Sequence, residues 1–195
     1  MKKNLTRTLI AVATVLSVFY ACKKETSETS LKAEKLVAQK CLQESKGITT
    51  SSTSPYNVYL YKITDNGNGT YTWEWRVRNL NPGNGLNGTV QDLSHWNITL
   101  GDCITTANII SGATSTNGTT WTPFTPSFKV DKSQNCFTGK VVKFDVGTTG
   151  TNISYYRLTI NQNVSHTAVT AVYKSGKNTG CGIFETCGFG CPASK

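Results

Sequence analysis

Charged residues are scarce in this chain. Asp, Glu, Lys and Arg make up 16% of its 195 residues, with only 11 acids and 2 histidines. Long surface helices and coiled coils draw on Glu, Lys and Ala, so the shortage excludes them as the main architecture. Long apolar runs are missing as well. The one stretch of note, Leu9 to Tyr20, falls short of the roughly 20 residues that a membrane-spanning helix needs. Catalytic groups are few: beyond residue 50 the acids are Asp65, Glu74, Asp92, Asp102, Asp131, Asp145 and Glu185, and the imidazoles are His95 and His166. No Gly-x-Ser-x-Gly nucleophile elbow, His-Glu-x-x-His zinc motif or phosphate-binding glycine loop occurs. These gaps lead to the expectation of a protein that is not an enzyme and holds no cofactor and no metal. What the chain does have is Ser, Thr and Asn throughout, 17 Gly, 10% aromatics and 37% apolar residues. That is too much apolar material for a disordered chain, and a folded β domain is expected.

Residues 1–21 have the three parts of a secretory signal: Lys2, Lys3 and Arg7 in front, the apolar run, then Ala21 before Cys22. Phe19-Tyr20-Ala21-Cys22 resembles the lipobox of bacterial lipoproteins, in which the cysteine thiol is diacylated, the bond before it is cut and the new amino group is acylated. Phe19 and Tyr20 stand where Leu and a small residue are usual. Cleavage by an ordinary signal peptidase fits less well, because Phe19 is large where a small side chain is wanted. Cys22-Lys23-Lys24-Glu25 is similar to the start of outer-membrane lipoproteins of the Bacteroidota, where such a segment accompanies display on the outer face. The resemblance implies lipid attachment at Cys22, palmitate included, and a place in the bacterial cell envelope, anchored to the outer membrane. Each buried CH₂ of an acyl chain contributes about 0.8 kcal/mol, so three chains hold a protein on a bilayer without a membrane-active surface on the folded part.

Residues 22–54 read as a tether. Leu31, Leu36, Val37, Cys41 and Leu42 recur at helical spacing after Ser30, which predicts a short helix over 31–45, and a Ser/Thr linker follows up to Ser54. From residue 55 to 195 short β-rich runs alternate with turns. Asp65-Asn66-Gly67-Asn68-Gly69 is a dense turn signal, and after it Tyr71, Trp73, Trp75 and Val77 share one face of a predicted strand, with Glu74 and Arg76 on the other. Further strands are predicted near 93–100, 104–110, 126–131, 137–146, 152–160 and 166–174. Seven or eight strands with no helix among them predict an all-β fold, an antiparallel two-sheet sandwich of immunoglobulin-like or related type, although barrels have similar strand counts.

Leu93-Ser94-His95-Trp96, a strand running into Cys103, is followed later by Val142-Lys143-Phe144-Asp145 and by a closing Val172-Tyr173-Lys174-Ser175-Gly176 before terminal cysteines. This pattern resembles a β domain of many secreted bacterial proteins, over about 56–191, and implies export and a sandwich without implying an activity. Setting Cys22 aside leaves six cysteines, Cys41, Cys103, Cys136, Cys181, Cys187 and Cys191. In an exported protein an even count reads as disulfides, with fifteen pairings open. Three sulfurs fall in the tail Cys181–Cys191, yet the close Cys pair or His partner usual at zinc sites is missing there. Disulfides are the better expectation, fastening a glycine-rich tail that does not pack by itself, with Cys103 joined to a tail cysteine.

Among candidate functional residues, Glu74 is expected on a solvated strand face beside Arg76. Ser94 and His95 look like a nucleophile and its base, but strand neighbours point to opposite faces, so the two are not expected to serve each other and His95 is read as structural. Asp65-Asn66-Gly67-Asn68-Gly69 lacks the ligand pattern of a calcium loop and is read as a hairpin turn. The aromatics of 71–77 are assigned to the core. Trp121 stands in a predicted loop, where it either meets a ligand or plugs one end of the sandwich, and it is the candidate ligand-binding residue. Of the formal +9, residues 1–50 hold 9 Lys+Arg against 4 acids, and residues 51–195 hold 11 against 7. That spread demands no nucleic acid. The functional expectation is a lipid-anchored surface binding or adhesion module whose partners are the membrane and a glycan or protein ligand. The alternatives are a structural or accessory envelope protein and, behind it, a carbohydrate-active hydrolase.

Overall fold

The structure is a computed structural model that describes residues 55–79, 92–176 and 180–192; the signal, the tether with its expected helix, Cys22 and Cys41 lie outside them. Within the described residues the strands are β1 (Tyr56–Asp65), β2 (Tyr71–Asn79), β3 (Leu93–Ile98), β4 (Ile109–Ser115), β5 (Thr122–Phe124), β6 (Phe128–Val130), β7 (Lys140–Phe144), β8 (Ile153–Ile160), β9 (His166–Ser175) and β10 (Cys181–Phe189). They form two antiparallel sheets packed as a sandwich, the first in the order β1-β2-β8-β4-β5 and the second in the order β10-β9-β3-β7-β6.

The first hairpin follows the sequence closely. Gly67 and Gly69 take positive φ, the Asp65 carboxylate accepts the Gly67 amide at 2.8 Å, and the Asn66 amide donates to the Thr70 carbonyl at 3.0 Å. The acidic turn thus spends an oxygen on its own backbone, as hairpin turns with Asp and Asn do. In β2 the alternation sends Trp73, Trp75 and Val77 inward, each no more than 1% exposed. Trp75 sits at the centre, with the rings of Trp96, Phe144 and Phe189 around it at 5.6–6.3 Å. Full burial of such side chains contributes roughly 1.5–3 kcal/mol each. Polar bonds tie the layers together as well: the Trp75 indole donates to the Cys187 carbonyl at 2.7 Å, and the Tyr56 and Ser175 hydroxyls meet at 2.5 Å. Burial pushes the Tyr56 phenol up to about 12, partly offset by that hydroxyl contact.

Two expectations change. The predicted strand over 104–110 starts only at Ile109, after a 3-10 turn at Thr106–Asn108. The glycine-rich tail does pack: β10 pairs with β9 along its whole length, and Phe189 is fully buried in the core. Its glycines serve that pairing. A Cβ on Gly182 would meet the Tyr173 ring at 2.7 Å, and one on Gly188 would run into the Val169 side chain, so glycine here makes room for a neighbour's side chain. Cys103 is joined to Cys191, a tail cysteine as expected, and Cys136 to Cys181; Cys187 is disulfide-bonded too. With a separation of 88 residues, the Cys103–Cys191 bond closes a long loop, of a size where a cross-link adds a few kcal/mol, about 2–4.

Candidate functional site: an aromatic and guanidinium face

The alternation that fills the core also fixes what the first sheet shows outward. Register carries it from strand to strand: Tyr59, Arg76, Tyr155 and Ser115 form one row, and Lys62, Glu74, Arg157 and Ala113 the next. A bulge between Leu60 and Lys62 takes Tyr61 out of the pairing, and its ring lies 3.2 Å below the guanidinium carbon of Arg76, which also stands 5.1 Å from the Tyr155 ring. Trp121, just before β5, lies 3.5 Å below the guanidinium of Arg157 and meets Tyr155 edge-on at 6.4 Å. Cations over ring faces are held by the ring quadrupole, at about 0.5–1 kcal/mol each where exposed.

One carboxylate sits beneath these cations. Glu74 is 3% exposed, and its Oε2 accepts from Arg157 Nε at 2.9 Å and Nη2 at 2.7 Å. Arg76 Nε lies 3.7 Å from the other oxygen, and Lys62 Nζ lies 3.9 Å from Oε2. This corrects the expectation of a solvated Glu74. Arg76 is beside it as expected, but Arg157, 83 residues further on, covers it. A buried carboxylate without such partners would be strongly unfavourable. Trp121 is half-buried and contacts the outer face of the first sheet instead of closing an end of the sandwich. Its neighbours Thr120 and Thr122 line a cleft of about 360 Å³ with Thr114, Ser115, Asn117 and other residues. Tyr155 faces outward and Tyr156 is buried, as their alternation requires.

A second polar cluster belongs to the other sheet. The pairing of β3 with β9 shifts between Leu93 and His95, and this irregularity breaks the alternation on which the separation of Ser94 from His95 rested. Contrary to expectation, the Ser94 hydroxyl lies 3.2 Å from His95 Nδ1. His95 Nε2 lies 2.8 Å from Asp131 Oδ2, which also accepts from Asn97 Nδ2 at 3.0 Å. The Ser133 hydroxyl and amide donate to Asp131 Oδ1 at 2.6 and 3.0 Å. Lys143 Nζ lies 3.7 Å from that oxygen and 3.0 Å from Asp145. Burial, aided by Lys143, lowers the His95 pKa despite Asp131. Burial alone would raise the Asp131 carboxyl, but the hydrogen bonds from Ser133 and Asn97 hold it well below the usual range. A neutral His95 that donates from Nε2 presents the Nδ1 lone pair to Ser94. A cleft of about 410 Å³ opens on the far side of the carboxylate, lined by Lys129, Asp131, Ser133, Lys143 and Asp145 among others, with Ser94 outside it.

Trp121, the ligand-binding candidate in the sequence, is thus brought by the fold into a cluster, and the disulfide candidates within the described residues are all bonded. Arg157 and the Asp131 link to His95 escape sequence reading because their partners lie far along the chain, and Tyr61 because a bulge takes it out of the alternation. Among the described residues no group of three His, Cys, Asp or Glu is placed to hold a metal ion. No model of a known protein family matches the chain, and a search of curated proteins finds no match.

Proposed function

We propose that the chain is a lipid-anchored cell-envelope binding module, held at the outer membrane through Cys22 and engaging its ligand by the outer face of the first sheet. The observation that carries this reading is the cluster of Tyr61, Arg76, Tyr155, Trp121 and Arg157 on one sheet face. Trp, Tyr and Arg are the residue types that dominate binding energy at interfaces. The lipobox-like segment supports the anchor. Glycan-array and host-matrix binding tests the module: Trp121→Ala should lose most of the signal, and undiminished binding would remove this face from the reading. For the anchor, radiolabelled palmitate should enter the wild type and not Cys22→Ser; equal labelling of both would refute it.

A second reading, a hydrolase, has one observation in its favour. Ser94, His95 and Asp131 are linked at the distances of a nucleophile, base and orienting acid. Against it, the cleft beside Asp131 does not include Ser94, and His95 is only 3% exposed. Two carboxyls, Asp131 and Asp145, do line that cleft, but Lys143 Nζ pairs with both, at 3.7 and 3.0 Å, whereas glycoside hydrolysis needs two carboxyls free to face a sugar from either side of the cleft. A serine-directed fluorophosphonate decides the matter: labelling of Ser94 that His95→Gln abolishes would establish this second reading.

A further inference from the structure

We infer that the Trp121 face takes a carboxylated polysaccharide, an inference that rests on the binding-module reading above. Charge is the first reason. Lys62, Arg76 and Arg157 surround the single carboxylate of Glu74, and among the described residues no second acid pairs with any of the three. The cluster therefore keeps two positive charges at the surface, with the side chains of Lys62, Arg76 and Arg157 exposed to 48%, 24% and 30%. Guanidinium groups bind carboxylates through paired N–H donors, as Arg157 already does with Glu74.

The second reason is the company these cations keep. Aromatic rings pack against the C–H faces of sugars, and Tyr61, Tyr155 and Trp121 lie in the same patch as the guanidiniums, with Tyr61 exposed to 42%. At the rim of the patch, next to the Thr120 and Thr122 that flank Trp121, opens a cleft lined by these two with Thr114, Ser115, Asn117 and Val146; Trp121 itself does not line it. Hydroxyl and amide side chains of this kind both donate and accept, which suits the hydroxyls of a sugar ring. Nucleic acid fits less well. A phosphate backbone is met by a stripe of Lys and Arg along its length, whereas this patch gathers three cations around one carboxylate, among aromatic and hydroxyl side chains.

The full chain is titrated by biolayer interferometry with polygalacturonate, alginate and hyaluronate, and with methyl-esterified polygalacturonate and single-stranded DNA for comparison, at low and at physiological salt. At least one of the three acidic polysaccharides should bind. Its affinity should fall about tenfold in Arg157→Gln, and fall as salt rises; for polygalacturonate, esterification should weaken it by a similar factor. Tyr61→Ser, at an exposed position, should also weaken it, and this second variant guards against a folding defect in Arg157→Gln. Equal binding of the esterified polymer would overturn the acidic ligand and leave the binding face standing. Acidic-polymer binding that survives in Trp121→Ala, Arg157→Gln and Tyr61→Ser alike would overturn the face itself. DNA bound as tightly as the polysaccharides, or none of the three polysaccharides bound, would overturn the inference.

Discussion

The two buried acids of this domain are neutralised in different ways. Glu74, in β2, and Asp131, in the segment just after β6, are 3% and 6% exposed. Asp131 is held by His95, Asn97 and Ser133, and both His95 and Asn97 are buried with it. Glu74 is held by three cations that remain a quarter to a half exposed and lean on aromatic rings. Removing Asp131 strands the donors of His95 and Asn97, which water does not reach; removing Glu74 strands cations that water already touches. The first arrangement locks β3 to the segment after β6. In the second, a carboxylate sits below a surface and positions the charges above it.

Isosteric neutralisation should separate the two most strongly. Asp131→Asn keeps an acceptor on one side only, so the donors of His95 and Asn97 or those of Ser133 are left facing an amide nitrogen, and a loss of about 3–5 kcal/mol is expected from urea unfolding. Glu74→Gln should lose about 1 kcal/mol, since the cations recover hydration and the amide oxygen still accepts from Arg157. Equal losses would mean that the cations over Glu74 are as locked in as the donors around Asp131.

Acid should act on the second sheet first. His95 has a lowered pKa in the fold, so the native state resists a proton that the unfolded chain accepts. That contribution to stability is complete above the unfolded value near 6.5 and declines as pH falls below it toward the folded value. Asp131 is likewise lowered, so its contribution is complete above the unfolded value near 3.9 and is lost only in stronger acid. Lys143, Asp145 and Ser133 face the same cluster and stay in place in the comparison. Stability measured between pH 8 and 5, a range bracketing about 6.5, should fall in the wild type and hold nearly flat in His95→Gln. A decline of equal slope in the variant would assign the acid sensitivity elsewhere.

The same contrast shows what a one-dimensional reading reaches. The core half of β2 was legible, because a strand alternates faces and Trp73, Trp75 and Val77 keep step. So was the Gly67–Gly69 turn, where local chemistry decides. β10 was not, because Gly182 and Gly188 look like tail residues until Tyr173 and Val169 are seen to occupy the space above them. The Ser94–His95 contact was missed for a different reason: alternation holds only in unbroken register, and a shift between Leu93 and His95 leaves no mark in the sequence. Glu74 was placed on the correct face but given the wrong environment, since its main partner lies on another strand of the sheet.

The smallest effect concerns the lid on Trp121. The chain has 4 tryptophans, and Trp73, Trp75 and Trp96 are at most 1% exposed, so collisional quenching by neutral acrylamide reads Trp121 almost alone. Arg157→Lys keeps the charge near Glu74 but replaces a flat guanidinium, 3.5 Å from the ring centroid, with a compact ammonium that cannot cover it. Stability should change by less than about 1 kcal/mol, the worth of one exposed cation–π contact. Quenching should nevertheless rise, because the ring face is uncovered. If quenching stays at the wild-type level, the guanidinium is not what shields Trp121, and the picture of cations positioned by Glu74 over the aromatic face loses its most direct support.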